Sequence, residues 1–180
     1  IVQLPMPQHI DINAVLSEVP LEKDVDGINP FTPEHARIAR APVALAVQDI
    51  LARTHTPVEG ARAVVVGAGR LVGLPTAALL RELGADVKVF TLTEGSIADL
   101  ADADIVVSGA GQPHFIKPEH VKEGAVLIDA GASESNNTIQ GDMDPACAEK
   151  ARIFTPVPGG VGPMSVAMIF RNLFALKQRS

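Results

Sequence analysis

From residue 62 onward, short apolar segments rich in valine and isoleucine alternate with segments that favour helix, and this alternation constrains the fold more than any other feature. Continuous apolar runs of this kind are typical of strands buried on both faces, as in a parallel sheet covered by helices. The sequence therefore predicts an α/β fold with a doubly wound, mostly parallel sheet. The predicted strands are Ala63–Val66, Asp86–Phe90, Asp104–Ser108, Ala125–Ala130 and Arg152–Phe154.

Apolar spacing and capping residues predict the helices around this sheet, together with two further strands. The strands are Ile1–Leu4, which opens the chain, and one near Thr138–Gln140. In the last helix, Pro163 is expected at the first position with Gly162 as the cap. The predicted helices are Asp11–Val19, one opened by Thr32-Pro33-Glu34, Pro42–Thr54, one that ends near Leu83, Ser96–Ala101, Pro118–Val121, Pro145–Lys150 and Pro163–Gln178.

The composition excludes several classes of partner. With 21 acidic and 15 basic residues the formal net charge is −6, which argues against nucleic acid and anionic membranes. A single cysteine, Cys147, rules out an internal disulfide and predicts a reducing, cytoplasmic setting. No apolar run reaches membrane-spanning length. Metal binding is not expected, because the histidines lack the spacing of ligands; they are His9, His35, His55, His114 and His120.

A glycine-rich turn joins the first strand of the alternating region to the helix that follows. Gly67, Gly69 and Gly73 have a spacing one residue longer than the common dinucleotide fingerprint. Such a turn lets a pyrophosphate approach the N–H groups at a helix N-terminus. We favour a dinucleotide site in a Rossmann-type sheet over a merely tight turn. The predicted cofactor-binding residues here are Gly67, Gly69, Arg70, Leu71 and Val72.

Further cofactor contacts are expected where the later strands end. Thr91 follows the second strand, where a dinucleotide fold contacts the adenosine ribose. No arginine or lysine stands beside it, which favours NAD somewhat over NADP, although Arg70 could reach a 2′-phosphate. Small residues after the next two strands, Gly109, Ala110 and Gly131, suit close passage of a ribose or nicotinamide. NAD or NADP is therefore the predicted cofactor.

The segment Thr155–Met164 contains three prolines and three glycines, which give a stiff and contorted backbone. A rigid loop that leads into a helix start suits an anion or a planar ligand. The same loop could be a strained connection that only shapes the fold. The loop residues alone leave both interpretations open.

Four motifs together resemble the methylenetetrahydrofolate dehydrogenase/cyclohydrolase (FolD) family, in matching order and spacing over essentially the whole chain. They are Val2–Pro7, Lys23–Gly27, Val64–Pro75 and Thr155–Met168. Members of that family oxidise 5,10-methylenetetrahydrofolate by hydride transfer to a nicotinamide cofactor. They then hydrolyse the methenyl product to 10-formyltetrahydrofolate.

The resemblance implies roles for individual residues. Gln3 matches the glutamine that orients the family's catalytic lysine, and Asp26 matches the aspartate that holds the pterin ring. These two are the predicted catalytic residues, although Asp24 and Asp26 taken alone favour a simple turn. The predicted substrate contacts, in the loop that borders the folate and nicotinamide sites, are Pro158, Gly159, Gly160 and Pro163.

The resemblance also marks what this chain lacks. The family's Tyr-x-x-x-Lys motif precedes the Gln3 motif in a typical member, whereas these residues contain no tyrosine. The arginine and serine that hold a 2′-phosphate are replaced by Ala68 and Gly69, and the usual His-Ser by Thr91-Leu92. We therefore expect a FolD-type dehydrogenase truncated by its N-terminal third, in which cyclohydrolase activity is not supported. The alternative is an inactive dinucleotide-binding module or a fragment that needs a partner.

Three parts are predicted along the chain. Residues 1–45 are the remnant of a folate-binding domain, residues 46–162 are the NAD(P)-binding domain, and residues 163–180 form a helix that packs back on the remnant. We expect the apolar side of this helix to be partly exposed or covered by a dimer mate, because its usual partner elements are missing. Besides the folate and the dinucleotide, the predicted partner is a second copy of the chain or a chain that supplies the missing domain.

Overall fold

A parallel five-stranded sheet forms the centre of the structure. The computed structural model describes residues 1–33, 36–91, 93–135 and 138–179. The strands are β1 Arg62–Val66, β2 Asp86–Phe90, β3 Ile105–Ser108, β4 Val126–Asp129, β5 Ser133–Ser135, β6 Thr138–Gln140 and β7 Ile153–Thr155. The α-helices are α1 Ile12–Ser17, α2 Pro42–Arg53, α3 Gly73–Glu82 and α4 Val161–Lys177.

The strand order in the sheet is β2-β1-β3-β4-β7, and every neighbouring pair is parallel. The chain runs from β1 outward to β2 and then returns to the other side of β1 as β3. Val66, the last residue of β1, therefore pairs with both Phe90 and Ser108. This reversal is a topological switch point, where open α/β sheets bind ligands at their carboxyl edge.

Alternate residues of the strands face two separate apolar layers, as the pleat of a strand requires. On one face, Val65 and Val107 pack against α2, α3 and α4. On the other face, Val64 and Val106 pack against shorter helical segments and loops that include Leu100. The predicted fold class, a doubly wound parallel sheet, is confirmed. Cys147 lies in the second layer, where burial raises the pKa of its thiol to about 11.

Several predicted elements differ from the structure in kind. The expected strand at Ile1–Leu4 is absent, because no neighbouring strand pairs with this segment in the described part of the chain. Three expected helices are short 3-10 helices instead, at Ile97–Asp102, Pro118–His120 and Pro145–Glu149. The helix expected to open at Thr32 includes residues 34 and 35, which lie outside the described residues.

The last helix begins two residues earlier than expected. Gly160 is its N-cap and Val161 its first residue, so Pro163 occupies the third position rather than the first. Proline is tolerated there because the N–H groups of the first helical turn have no partner within the helix. None of the helices in the described ranges is long and apolar enough to span a membrane.

Helix α4 joins the first part of the chain to the sheet. Met168 packs into the core beside α2, and the buried amide of Asn172 donates to the carbonyls of Val25 (2.7 Å) and Arg40 (2.8 Å). Its other side carries apolar side chains that are exposed in this chain, as expected. These residues, named the α4 stripe below, are Val166, Phe170, Leu173 and Phe174, with Phe174 68% exposed.

We expect Asn172→Ala to destabilise the fold strongly. The variant removes the buried donor of two partly buried carbonyl groups, at a cost of up to about 1–3 kcal/mol for each group. Urea unfolding followed by circular dichroism measures the change in the free energy of unfolding. Lys177→Ala, an exposed position on the same helix, is the control and should change it by no more than about 0.5 kcal/mol. Equal effects of the two variants would contradict the assigned role of Asn172.

Candidate functional site

A cavity of about 200 Å³ opens at the carboxyl edge of the sheet, over the switch point. Its walls are the turn after β1, the end of β2 and the turn after β3. The structure thus brings together five residues that the sequence predicted for the cofactor. The lining residues are Val66, Gly67, Ala68, Gly69, Phe90, Thr91, Gly109 and Ala110.

The turn after β1 and the start of α3 are in unusually close contact. Gly67 has a φ of +100°, and a Cβ added to Gly73 would lie 1.8 Å from the carbonyl oxygen of Gly67. Glycine is therefore required at position 73 for α3 to begin against the turn. Val72, the N-cap of α3, makes no side-chain cap and the first turn has no acidic residue. A helix start of this kind attracts a bound anion.

Thr91 lines this cavity, but its hydroxyl accepts the N–H groups of Thr93 (3.3 Å) and Glu94 (2.9 Å) and so stabilises its own turn. Other predicted cofactor residues lie outside the cavity. Leu71 is largely exposed and is absent from the lining. Arg70 donates to the side-chain oxygen of Asn13 at 2.8 Å and lines a different cavity.

That second cavity, of about 360 Å³, lies between the segment after Asp26 and helix α3. Two further arginines line it, and both are engaged with the protein. Arg37 donates to the carbonyl oxygens of Gly27 and Asn29, and Arg40 pairs with Glu82 at 2.6 Å. The cavity is therefore lined by three arginines whose side chains already bond to other groups of the protein.

The proline–glycine loop lies between β7 and α4 and closes on itself. The N–H of Gly160 donates to the carbonyl of Pro156 at 2.8 Å, and a Cβ on Gly160 would lie 2.6 Å from that oxygen. Gly159 has a φ of +104°, and the peptide bond between Val157 and Pro158 is cis. The exposed members of the loop include Pro158, Gly159 and Pro163. A ligand could therefore reach a fixed backbone surface here.

The two predicted catalytic residues lie in the first part of the chain. Asp26 is half-buried, and burial raises the pKa of its carboxyl group, with the neighbouring Asp24 adding to the rise. Asp24 itself forms the turn, because its carboxylate accepts the N–H groups of Ile28 (3.1 Å) and Asn29 (2.9 Å). Gln3 is exposed, and its amide donates to the carbonyl of Leu4 at 3.4 Å.

Sequence reasoning missed a buried carboxylate, Asp142, that organises the turn after β3. Its carboxylate accepts the hydroxyl of Ser108 at 2.6 Å and the N–H groups of Ala110 (2.7 Å), Gly111 (3.3 Å) and Gln112 (2.7 Å). In the sequence, Gly141-Asp142 follows a predicted strand and has the ordinary composition of an exposed turn. No local signal shows that Asp142 is only 1% exposed.

A second buried carboxylate, Asp129, holds the segment that carries Asp142. It accepts the N–H groups of Gly131 (3.0 Å), Asp142 (3.2 Å) and Met143 (2.8 Å). Burial raises the pKa of Asp129 to about 6, and the charge of Asp142 adds to the rise, whereas the three N–H groups oppose it. The N–H of Asp129 donates to the hydroxyl of Thr155 at 2.8 Å, which ties this pair to the start of the proline–glycine loop.

Among the residues that the structure describes, no group of histidine, cysteine, aspartate and glutamate side chains is placed to hold a metal ion.

Comparison with known proteins shows which family this chain belongs to. Residues 41–180 match the sequence model described as "Tetrahydrofolate dehydrogenase/cyclohydrolase, NAD(P)-binding domain". The chain belongs to that family. Its matched residues contain both the glycine turn and the proline–glycine loop, so this FolD-type chain carries the family's NAD(P)-binding domain.

Similar proteins span most of this chain but extend beyond it. The bifunctional protein FolD of Halothermothrix orenii is 41% identical over 96% of this chain and 64% of its own length. FolD 2 of Arabidopsis thaliana is 42% identical over 96% of this chain and 62% of its own length. The crystal structure of Trypanosoma brucei FolD, complexed with NADP and an inhibitor, has a TM-score of 0.91 at 35% identity, covering 99% of this chain and 66% of that one. The chain thus spans just under two thirds of these curated relatives.

We expect the carboxyl of Asp129 to make the protein less stable as the pH rises from about 4 to 7. Its pKa is 3.8 when unfolded and about 6 when folded, so the folded state holds the proton more tightly within this window. By linkage, a difference of this size is worth about 3 kcal/mol. Relative to Asp129→Asn, the wild type should therefore lose about 2 kcal/mol of this between pH 4 and 7, measured by urea unfolding at several pH values.

Asp104 supplies a control of opposite sign. A hydrogen bond from Lys122 is the main reason that the pKa of Asp104 is lowered, so its stabilising contribution is lost as the pH falls. Relative to Asp104→Asn, the wild type should gain stability as the pH rises. A difference between the wild type and Asp129→Asn that does not change with pH would contradict the assignment.

Proposed function

We propose that this chain provides the cofactor-binding part of a methylenetetrahydrofolate dehydrogenase, in which a hydride passes from 5,10-methylenetetrahydrofolate to NAD or NADP. The observation that carries this proposal is the cavity over the switch point, where Gly67 and Gly73 bring a strand end and a helix start together. The close similarity to FolD proteins, one of them with NADP bound, supports it.

The fold suggests where each part of the dinucleotide binds. The pyrophosphate would lie on the turn Gly67–Gly73, facing the N-terminus of α3. The adenosine side would extend over β2, toward Phe90 and Thr91, and the nicotinamide side over β3 and β4. The bound nicotinamide supplies the hydride acceptor. Its ring is then held by backbone and small residues, namely Gly109, Ala110 and Gly131.

On the folate side, two features would position the substrate. The carboxylate of Asp26 can accept two N–H donors from the edge of a pterin ring. The loop that contains Pro158, Gly159, Gly160 and Pro163 offers a rigid backbone surface for a flat ring. Hydride transfer requires mainly that two rings be held in register, which these groups favour.

We do not extend the proposal to cyclohydrolase chemistry. Hydrolysis of the methenyl bridge requires a group that polarises it and moves a proton. Gln3 matches the family's glutamine, but the Tyr-x-x-x-Lys motif whose lysine it orients is not found in this sequence. Gln3 would therefore act only when that lysine is provided by further chain.

The second candidate function is a dinucleotide-binding module that is inactive until another polypeptide completes it. The exposed α4 stripe favours it, because exposed apolar surface of this kind is typical of an interface. We propose that residues 1–45 and the helix over 163–180 belong to the folate-binding part, and that the stripe contacts the third of the relatives' length that has no match here. A homodimer over the same stripe is the other possible arrangement, and a cytoplasmic location stays a prediction.

Gly73→Ala should strongly weaken dinucleotide binding, because its Cβ would collide with the carbonyl of Gly67. The chain has no tryptophan or tyrosine, so the fluorescence of NADH or NADPH can be followed without overlap. We expect affinity to fall by at least about tenfold. Lys177→Ala, at an exposed position of helix α4 outside the lining of this cavity, is the control. If wild type binds neither nucleotide, the assignment of this cavity is wrong.

A chimera tests the dehydrogenase itself. It would carry the unmatched N-terminal part of the Halothermothrix orenii protein fused ahead of Ile1, and would be assayed with 5,10-methylenetetrahydrofolate and NAD or NADP. We expect reduction of the dinucleotide by the chimera, and a large loss of that activity in its Asp26→Asn variant, whose side chain would accept fewer hydrogen bonds from the pterin. Turnover by the present chain alone would exclude the module interpretation. A folded chimera that binds the dinucleotide without turnover would refute the dehydrogenase proposal.

A further inference from the structure

Each of the two buried carboxylates, Asp129 and Asp142, packs directly against the backbone of a glycine. A Cβ added to Gly131 would lie 2.2–2.4 Å from the carboxylate atoms of Asp142. A Cβ added to Gly141 would lie 2.1 Å from a carboxylate oxygen of Asp129. Each carboxylate therefore occupies the space that a side chain would take on the segment carrying the other. Neither glycine can be replaced unless a carboxylate moves.

The hydrogen bonds of Asp142 all converge on one short turn. Ser108 ends β3, and the next residues after Gly109 donate their N–H groups to the same carboxylate. Since hydrogen bonds to a charged acceptor are stronger than those between neutral groups, this carboxylate fixes the path of the turn. The turn in turn forms a wall of the dinucleotide cavity through Gly109 and Ala110.

The position of this wall decides which half of the dinucleotide it affects. β3 lies on the opposite side of β1 from β2, so the turn after β3 is on the far side of the switch point from the adenosine. Gly131, which lies against Asp142, follows the neighbouring strand β4 by two residues on that same side. Asp142 thus lies under the nicotinamide half of the proposed cofactor.

We propose that Asp142 is a positioning residue, which shapes the Gly109–Gln112 turn to receive the nicotinamide half of NAD or NADP, and that Asp129 holds Asp142 in place. Neither carboxylate touches the reacting atoms in this arrangement. The dependence on Asp129 follows from its acceptance of the Asp142 and Met143 N–H groups, which orient the segment that carries Asp142. This inference rests on the proposed dinucleotide function.

Binding of two related ligands distinguishes a role of Asp142 in shaping the nicotinamide site from a role in the stability of the whole fold. NADH contains the nicotinamide half, whereas ADP ends at the pyrophosphate and lacks the second ribose and the nicotinamide, so both are titrated by calorimetry. Asp142→Ala should weaken NADH binding by about tenfold and ADP binding by no more than about twofold. Asp142→Asn should show an intermediate loss, because one amide oxygen can still accept from Ser108, Ala110 and Gly111.

Two further variants serve as a second route and a control. Gly131→Ala leaves Asp142 in the sequence but displaces its carboxylate, so it should reproduce the selective loss of NADH binding. Asp144→Asn changes a carboxylate two residues away that accepts from Ala146 and Lys117 instead, and it should bind both ligands as the wild type does. Equal loss of both ligands in Asp142→Ala, or a loss in neither, would overturn the proposal.

Hydrogen exchange without any ligand separates this inference from the proposed function. In Asp142→Ala and Gly131→Ala, the N–H groups of Ala110, Gly111 and Gln112 should exchange faster than in the wild type. Unchanged exchange would show that Asp142 does not hold the turn, whatever the cofactor. If exchange is faster but the wild type binds neither NADH nor ADP, the dinucleotide function fails, and the positioning role for a cofactor fails with it.

Discussion

The rest of the structure depends on the position of β1, which pairs in parallel with β2 on one side and with β3 on the other. Because Val66 pairs with both Phe90 and Ser108, three strand ends meet at one edge of the sheet. The turns that follow these strands must then share a small volume. Gly67 and Gly73 are the residues that make this possible, since a side chain at position 73 would occupy the place of the Gly67 carbonyl.

Buried carboxylates at the same edge are compatible with folding only because they accept hydrogen bonds. A carboxylate removed from water is costly unless it is hydrogen-bonded, and Asp142 meets this condition with a hydroxyl and successive backbone N–H groups. Asp129 meets it less completely, because burial and the charge of Asp142 still raise its pKa to about 6. Asp142 holds the turn after β3, and the backbone N–H of Asp129 donates to Thr155 at the start of the proline–glycine loop, so both sides of the proposed cleft share one network.

Helix α4 shows how the domain relates to the longer proteins of its family. On one side of the helix, Asn172 donates hydrogen bonds to the earlier part of the chain and Met168 packs into the core. The α4 stripe on its other side exposes large apolar side chains, with Phe170 57% exposed. Together with the relatives' additional length, this surface supports an interface with further polypeptide as part of the proposed function.

The sequence by itself determined the class of sheet, most strand positions, the glycine turn at Gly67–Gly73 and the membership of a family. These follow from local signals, namely apolar runs, residue spacing and glycine at positions that admit no side chain. Only the tertiary structure decided that Ile1–Leu4 is not a strand, that Arg70 faces Asn13 rather than the dinucleotide cavity, and that Asp142 is buried under the cofactor turn. Each of these depends on a partner distant in the sequence, and a carboxylate next to a glycine has the same local pattern whether water or the backbone of another strand surrounds it.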